Sequence, residues 1–216
     1  NPILILGGSI WSHEAETDLM SISEMLGLTI ITSHRRQSYY NNLHKNYGGD
    51  LGLGVNPKLI NRINSSDYLV LLGGRLSENN SQGFTQLGIP EHNKKFIHIH
   101  PGPDEIGRIY KPHLGIVSNP IAFVSILNNA LKGLNTKPNS KNEVNTIKSH
   151  EEYIEWGDMP LEAPNSGVDL TSAFRTLRKH LDPKTIITNG AGNYAVWGHR
   201  LFRFTRVKTQ LAPISG

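Results

Sequence analysis

The chain contains no cysteine. That absence removes disulfides, thiolate metal sites and cysteine nucleophiles together, and it suits a reducing cytoplasm, the expected location. No apolar run approaches the roughly 20 residues that a spanning helix needs, and the opening Asn1-Pro2 is not followed by the pattern of a secretory signal, so no membrane partner is expected. No Gly-x-Ser-x-Gly elbow accompanies the serines and histidines, which leaves a hydrolase triad without support. Charge of one sign is also sparse. The formal net charge is +4, but only His34-Arg35-Arg36 and Lys94-Lys95 cluster. A mildly basic solvated surface explains this better than a nucleic-acid partner, and the 34–36 triplet either binds an anion or faces solvent.

What is present is a rhythm. Over the first 130 residues short apolar runs (Ile3 to Leu6, Thr29 to Thr32, Tyr68 to Leu72, Phe96 to Ile99, Gly115 to Val117) alternate with amphipathic stretches. Glu14 to Leu26 sets Ala15, Leu19, Ile22 and Met25 at helical spacing, and Pro57 to Ile63 and Pro120 to Leu131 repeat the period. Asn56-Pro57 and Asn119-Pro120 each join a capping residue to a proline at the first helical position. This predicts α/β architecture: a Rossmann-like parallel sheet of five strands with helices on both faces.

From Lys132 to about Ser166 the pattern weakens into Asn, Lys, Ser and Pro, which reads as a linker with little to bury. Order resumes with a helix over Val168 to His180, a strand over Thr185 to Thr188, and a helix through Trp197 and Leu201, the start of a second α/β domain. The expected division is therefore 1–132, a linker over 133–166, and an incomplete unit over 167–216. The ends at Asn1 and Gly216 read as cuts in a longer protein.

Glycine marks the places where chemistry could sit. Gly190-Ala191-Gly192-Asn193-Tyr194-Ala195 lies between a strand and a helix, where glycines let the backbone approach a diphosphate. The acid that would hold a ribose some 20 residues later is missing, since Thr209-Gln210-Leu211 stands there, which argues against a nicotinamide enzyme. Earlier glycines fall in three loops, Gly7-Gly8, the run holding Gly52 and Gly54, and Gly73-Gly74 beside Arg75; the first and third follow strands, where open α/β sheets bind ligands. A nucleotide lying across them is reasonable, and an ordinary set of tight turns is close behind. His98 and His100 share one face of a strand but lack a third ligand, so a metal is not expected there, and Asp104-Glu105 reads as a helix start. Trp156 and Trp197 read as packing anchors.

Four passages, taken in order, resemble the acetolactate synthase-like branch of thiamine diphosphate enzymes: Pro2 to Ser12, Gly49 to Gly54 with Gly73-Gly74-Arg75, His98 to Pro101 with Asp104 to Gly107, and Thr188 to Trp197. The resemblance implies a central Rossmann-like domain plus the opening of the diphosphate-binding domain of a parent enzyme. It implies attack by a thiazolium ylid on a 2-keto acid such as pyruvate, decarboxylation, and transfer of the remaining fragment to an acceptor. Gly192, Asn193 and Tyr194 would touch the cofactor diphosphate, in a turn that reads Gly-Gln-His in the best-known acetolactate synthases. Gly216 would sit beside the thiamine ring. The catalytic glutamate and the Gly-Asp-Gly magnesium ligands fall outside these residues, so none of them is assigned a catalytic or metal-binding role and the chain alone is not expected to turn over.

In flavin-containing relatives the loops at Gly52, Gly54, Gly73, Gly74, Arg75, His98 and His100 surround FAD, while others hold ADP or nothing there. His100 stands where flavin-binding members commonly carry an acid. The resemblance also implies a homodimer or homotetramer for the parent. The competing reading is a nucleotide-binding module, for FAD or ADP, without catalysis of its own.

Overall fold

The computed structural model describes residues 1–9 and 11–213. Its core is a wholly parallel sheet built from β1 (Pro2–Leu6), β2 (Thr29–Thr32), β3 (Tyr47–Asp50), β4 (Tyr68–Leu72), β5 (Lys95–His100) and β6 (Leu114–Val117), in the order β3-β2-β1-β4-β5-β6. Alternation along β1 sends Leu4 and Leu6 to one face and Ile3 and Ile5 to the other. The first face is covered by α1 (His13–Leu26) and α3 (Pro120–Gly133) through Leu19, Ile22 and Val124. The second receives α2 (Pro57–Ser65) through Leu59 and Ile63. Each of these side chains contributes roughly 1.5–3 kcal/mol by leaving water. Helices therefore cover both faces, as the sequence rhythm predicts.

The helix ends follow local chemistry. The Ser12 side chain accepts from Ala15 N at 3.2 Å, and Gly27 closes α1 in the left-handed region at φ 60. Asn56 and Asn119 cap α2 and α3, each followed by proline.

Two differences from the sequence reading concern the same region. The sheet has a sixth strand, β3, whose Tyr47-Gly48-Gly49-Asp50 is too glycine-rich to show as an apolar run. The stretch 133–166, read as a linker, carries α4 (Ser140–Asp158), a helix of 19 residues. Its buried face is Thr146, Ser149, Tyr153 and Gly157, correctly spaced for a helix but mostly small or polar, so hydrophobic periodicity does not reveal it. The small face lets α4 lie close to the edge of the sheet. Thr146 Oγ1 donates to Gly27 O at 3.0 Å, the His150 ring donates to Tyr47 O at 2.9 Å, and Arg62 pairs with Glu152 at 2.5 Å.

The remaining described residues form α5 (Leu170–His180), β7 (Ile187–Thr188), α6 (Ala195–Leu201) and β8 (Gln210–Leu211), with β7 and β8 paired in parallel. Asp169 caps α5 by accepting from Thr171 N and Ser172 N, so this helix begins at Leu170 and leaves Val168 outside it. No helix of the described residues is long and apolar enough to cross a membrane.

Candidate functional site

The turn between β7 and α6 is exposed along Gly192, Asn193 and Tyr194. Ala195, Val196 and Trp197 donate their N–H groups to Gly192, Asn193 and Tyr194 carbonyls, winding the turn tightly. Tyr194 folds back over it, and its hydroxyl accepts from Gly190 N at 2.9 Å. That bond uses an oxygen lone pair and leaves the hydroxyl proton free to donate outward. Among the described residues, the N–H groups of Ala191, Gly192, Asn193 and Tyr194 form no backbone hydrogen bond. An exposed run of amides with Asn193 and Tyr194 beside it suits an anion carrying several oxygens. Gly216 lies outside the described residues.

The other expected site residues gather at the carboxyl edge of the large sheet. Gly52 and Gly54 follow β3, Gly73, Gly74 and Arg75 follow β4, and His98 and His100 lie on β5. They are brought together but already engaged. The His98 imidazole donates through Nε2 to Gly74 O at 3.1 Å, and His100 Nδ1 accepts from Gly102 N at 3.0 Å. Burial holds His98 below the usual histidine range. Arg75 pairs with Glu105 at 3.3 Å, and Arg108 reaches the same carboxylate at 3.2 Å. Asp104 and Glu105 belong to a single short 3-10 turn after Pro103 rather than to an α-helix.

The loops after β1 and β4 press on each other at the point where the chain reverses its direction across the sheet. A Cβ on Gly7 would lie 2.6 Å from Gly74 Cα, and one on Gly8, at φ +81, would lie 2.3 Å from Gly73 O. Only glycine tolerates either place.

Sequence reasoning noticed the 34–36 triplet but not its role here, and it missed Asp50, His199 and Arg203, which finish this edge. His34 sits against Gly52, and its ring meets His199 of α6 edge to face, with centroids 5.6 Å apart. Burial, then the Arg35 and Arg36 charges, lower His34 to about 4; burial, then His34 and Arg35, do the same to His199. Both rings are thus neutral at pH 7. Arg35 is buried and Arg36 half-buried, and both donate to backbone carbonyls. Arg35 is 5% exposed and donates to Pro213 O, while Arg36 Nε donates to Gly8 O at 2.8 Å. Asp50 accepts from Gln37 Nε2 at 3.1 Å, and burial raises its carboxyl to about 7 against the opposing pull of Arg203. Nothing in the sequence around 199 or 203 marks them, because the groups they meet, His34 for His199 and Tyr153 and Asp158 for Arg203, lie in remote parts of the chain. Trp156 is indeed an anchor, with the Arg200 guanidinium 3.7 Å from its ring centre, whereas Trp197 is half exposed.

A wholly parallel sheet in this order, with glycine loops and histidines at its carboxyl edge, defines a Rossmann-like α/β scaffold. The chain belongs to the family described as thiamine pyrophosphate enzyme, central domain, whose profile matches residues 1–127. It is similar to a probable acetolactate synthase large subunit of Methanococcus aeolicus, 22% identical over 94% of this chain and 35% of the relative. It is also similar to a sulfoacetaldehyde acetyltransferase of Rhodobacter capsulatus, 22% identical over 98% of this chain and 39% of the relative. A glyoxylate carboligase of Escherichia coli O157:H7 is 24% identical over 58% of this chain and 21% of its own length. The chain thus spans well under half the length of these curated relatives.

Proposed function

We propose that these residues form the scaffold and one edge of the cofactor site of a thiamine diphosphate- and magnesium-dependent enzyme that decarboxylates a 2-keto acid such as pyruvate and transfers the remaining fragment to an acceptor. The observation that carries this reading is the exposed turn 190–194, in which the amides of residues 191–194 stand free of backbone partners beside the Asn193 and Tyr194 side chains, in a chain of the thiamine pyrophosphate enzyme family. When bound, thiamine diphosphate supplies a carbon nucleophile and a sink for the electrons left as carbon dioxide departs.

The work of this chain is binding and orientation. The Asn193 amide and Tyr194 hydroxyl would donate to the diphosphate, and Gly192 would let the backbone lie close to it. The Tyr194–Gly190 bond fixes the turn before the cofactor arrives, which lowers the ordering cost of binding. Magnesium ligands and the catalytic acid come from residues beyond this chain, in a dimeric or tetrameric parent, so these residues alone do not catalyse. An assay of the parent protein with pyruvate and related 2-keto acids tests the proposal. Carbon dioxide release that requires both thiamine diphosphate and magnesium is expected; cofactor-independent turnover, or none with any 2-keto acid, rejects it.

A further inference from the structure

We propose that the place at the carboxyl edge of the large sheet where a nucleotide would lie is filled by the chain's own His34, Val196 and His199, so that this sheet carries neither FAD nor ADP and serves as the seat of α6. The inference is independent of the thiamine diphosphate reading.

It begins with the backbone. A dinucleotide in an open α/β sheet enters where the strand order reverses, between the loops after β1 and β4. Here those loops are in contact, Gly7 on Gly74 and Gly8 on Gly73, with no gap for a diphosphate. Their carbonyls are also fixed from within. Trp11 Nε1 donates to Gly7 O at 2.9 Å, and Gly8 O accepts from Arg36 Nε at 2.8 Å and from the Tyr39 hydroxyl at 2.9 Å. Splaying the loops would break three hydrogen bonds that hold the surrounding layer together.

The flank toward β3 is closed by side chains. The His34 ring stands where a side chain on Gly52 would go, and Val196 comes within 3.1 Å of that place on Gly54. His199, 7% exposed, packs its ring against His34 from above. The space left beside Asp50, Leu53, Gly54, Val196 and His199 is about 20 Å³. On the opposite flank, the space among Arg75, His98, Glu105 and Tyr110 is about 30 Å³. Either volume admits about one water, against the roughly 300–1,000 Å³ of an organic ligand site. Arg75, which follows β4, pairs with Glu105 at the surface.

The occupant is therefore the chain itself, and the contact has a second consequence. Val196 and His199 both belong to α6, so the filled crevice is what joins this helix to the sheet.

The test uses the protein in its full length, purified without added cofactor. Its visible spectrum should show no flavin band, and calorimetric titration with FAD or ADP should give no saturable heat. Hydrogen exchange supplies a positive readout. His34→Ala should raise exchange of the α6 amides and of residues 52–54 together, by about tenfold or more, while His199→Phe, which keeps the crevice full, should leave both protected. Should His34→Ala fail to fold, Val196→Ala serves in its place with the same expectation. Stoichiometric flavin in the purified protein, saturable ADP binding, or an exchange increase confined to residues 52–54 would overturn the proposal.

Discussion

His34 and His199 lie 165 residues apart in the chain, yet their rings meet edge to face at 82°, with centroids 5.6 Å apart. Neither His34 Nδ1 nor His199 Nε2 has a hydrogen-bond partner among the described residues. The pair survives because both rings stay neutral, and that makes it sensitive to acid.

Both histidines titrate at about 4 in the folded chain, below the ordinary value of 6.5. The unfolded chain therefore binds more protons between those values, and stability present above pH 6.5 is lost as the pH falls toward 4. The expected loss is on the order of 3 kcal/mol or more for the pair, since each displacement from 6.5 to about 4 is worth roughly 3 kcal/mol before the partial exposure of His34 is discounted. Denaturant midpoints across that range should show it, and His199→Phe should reduce the slope.

Asp50 works in the opposite sense. Its folded value of about 7 lies above the ordinary 3.8, so its contribution is fully present below pH 3.8 and is lost as the pH rises through 7. Asp50→Asn, which mimics the neutral acid and can still accept from Gln37, should flatten that decline. Relative to the parent chain, the variant should gain stability progressively between about pH 4 and 7, reaching on the order of 4 kcal/mol above pH 7. A parallel pair of stability curves would show that Asp50 is ionised throughout.

Gly8→Ala meets two obstacles at once, a left-handed backbone and a carbonyl 2.3 Å from the new methyl. Destabilisation of about 3 kcal/mol is expected, with an unchanged denaturant slope. Gly83→Ala is the control, since nothing lies within 4 Å of its added methyl and only the positive φ of 68 opposes it. Its cost should be about 1 kcal/mol.

Thr146→Val removes the hydroxyl that joins Gly27 O and Thr29 Oγ1, each at 3.0 Å, while keeping the side-chain volume. Loss of about 1–2 kcal/mol follows from a buried carbonyl left without its donor. Proteolysis at 133–140 that becomes faster in the variant would report the loosening of α4 directly.

At the turn, Tyr194→Phe deletes the acceptor of the Gly190 N–H bond at an exposed position. Stability should change by less than about 0.5 kcal/mol. In the full-length parent, the thiamine diphosphate concentration for half-maximal activity should rise by roughly ten- to a hundredfold, as a lost hydrogen bond to a charged group predicts. An unchanged activation curve would place the diphosphate elsewhere.

The sequence by itself determined the layers of the sheet, because Leu4 and Leu6 alternate with Ile3 and Ile5, and because the Asn-Pro pairs at 56 and 119 fix where helices begin. It also marked the turn at 190–194 and brought most of the carboxyl-edge residues to notice, since glycine after a strand is a local signal. It did not disclose β3 or α4, whose contacts run through Gly48, Thr146 and Ser149 rather than through apolar periodicity.

Only the tertiary structure decided what the glycines at the carboxyl edge are for. Gly7 and Gly74, or Gly52 and Gly54, read the same in sequence whether they admit a ligand or another part of the chain. Folding places Gly74 against Gly7 and brings Val196 and His199 from α6 onto the loops after β2 and β3. The physical reason is that a cavity is a property of distance between remote segments, and no local pattern of residues specifies whether the space between them is open or filled.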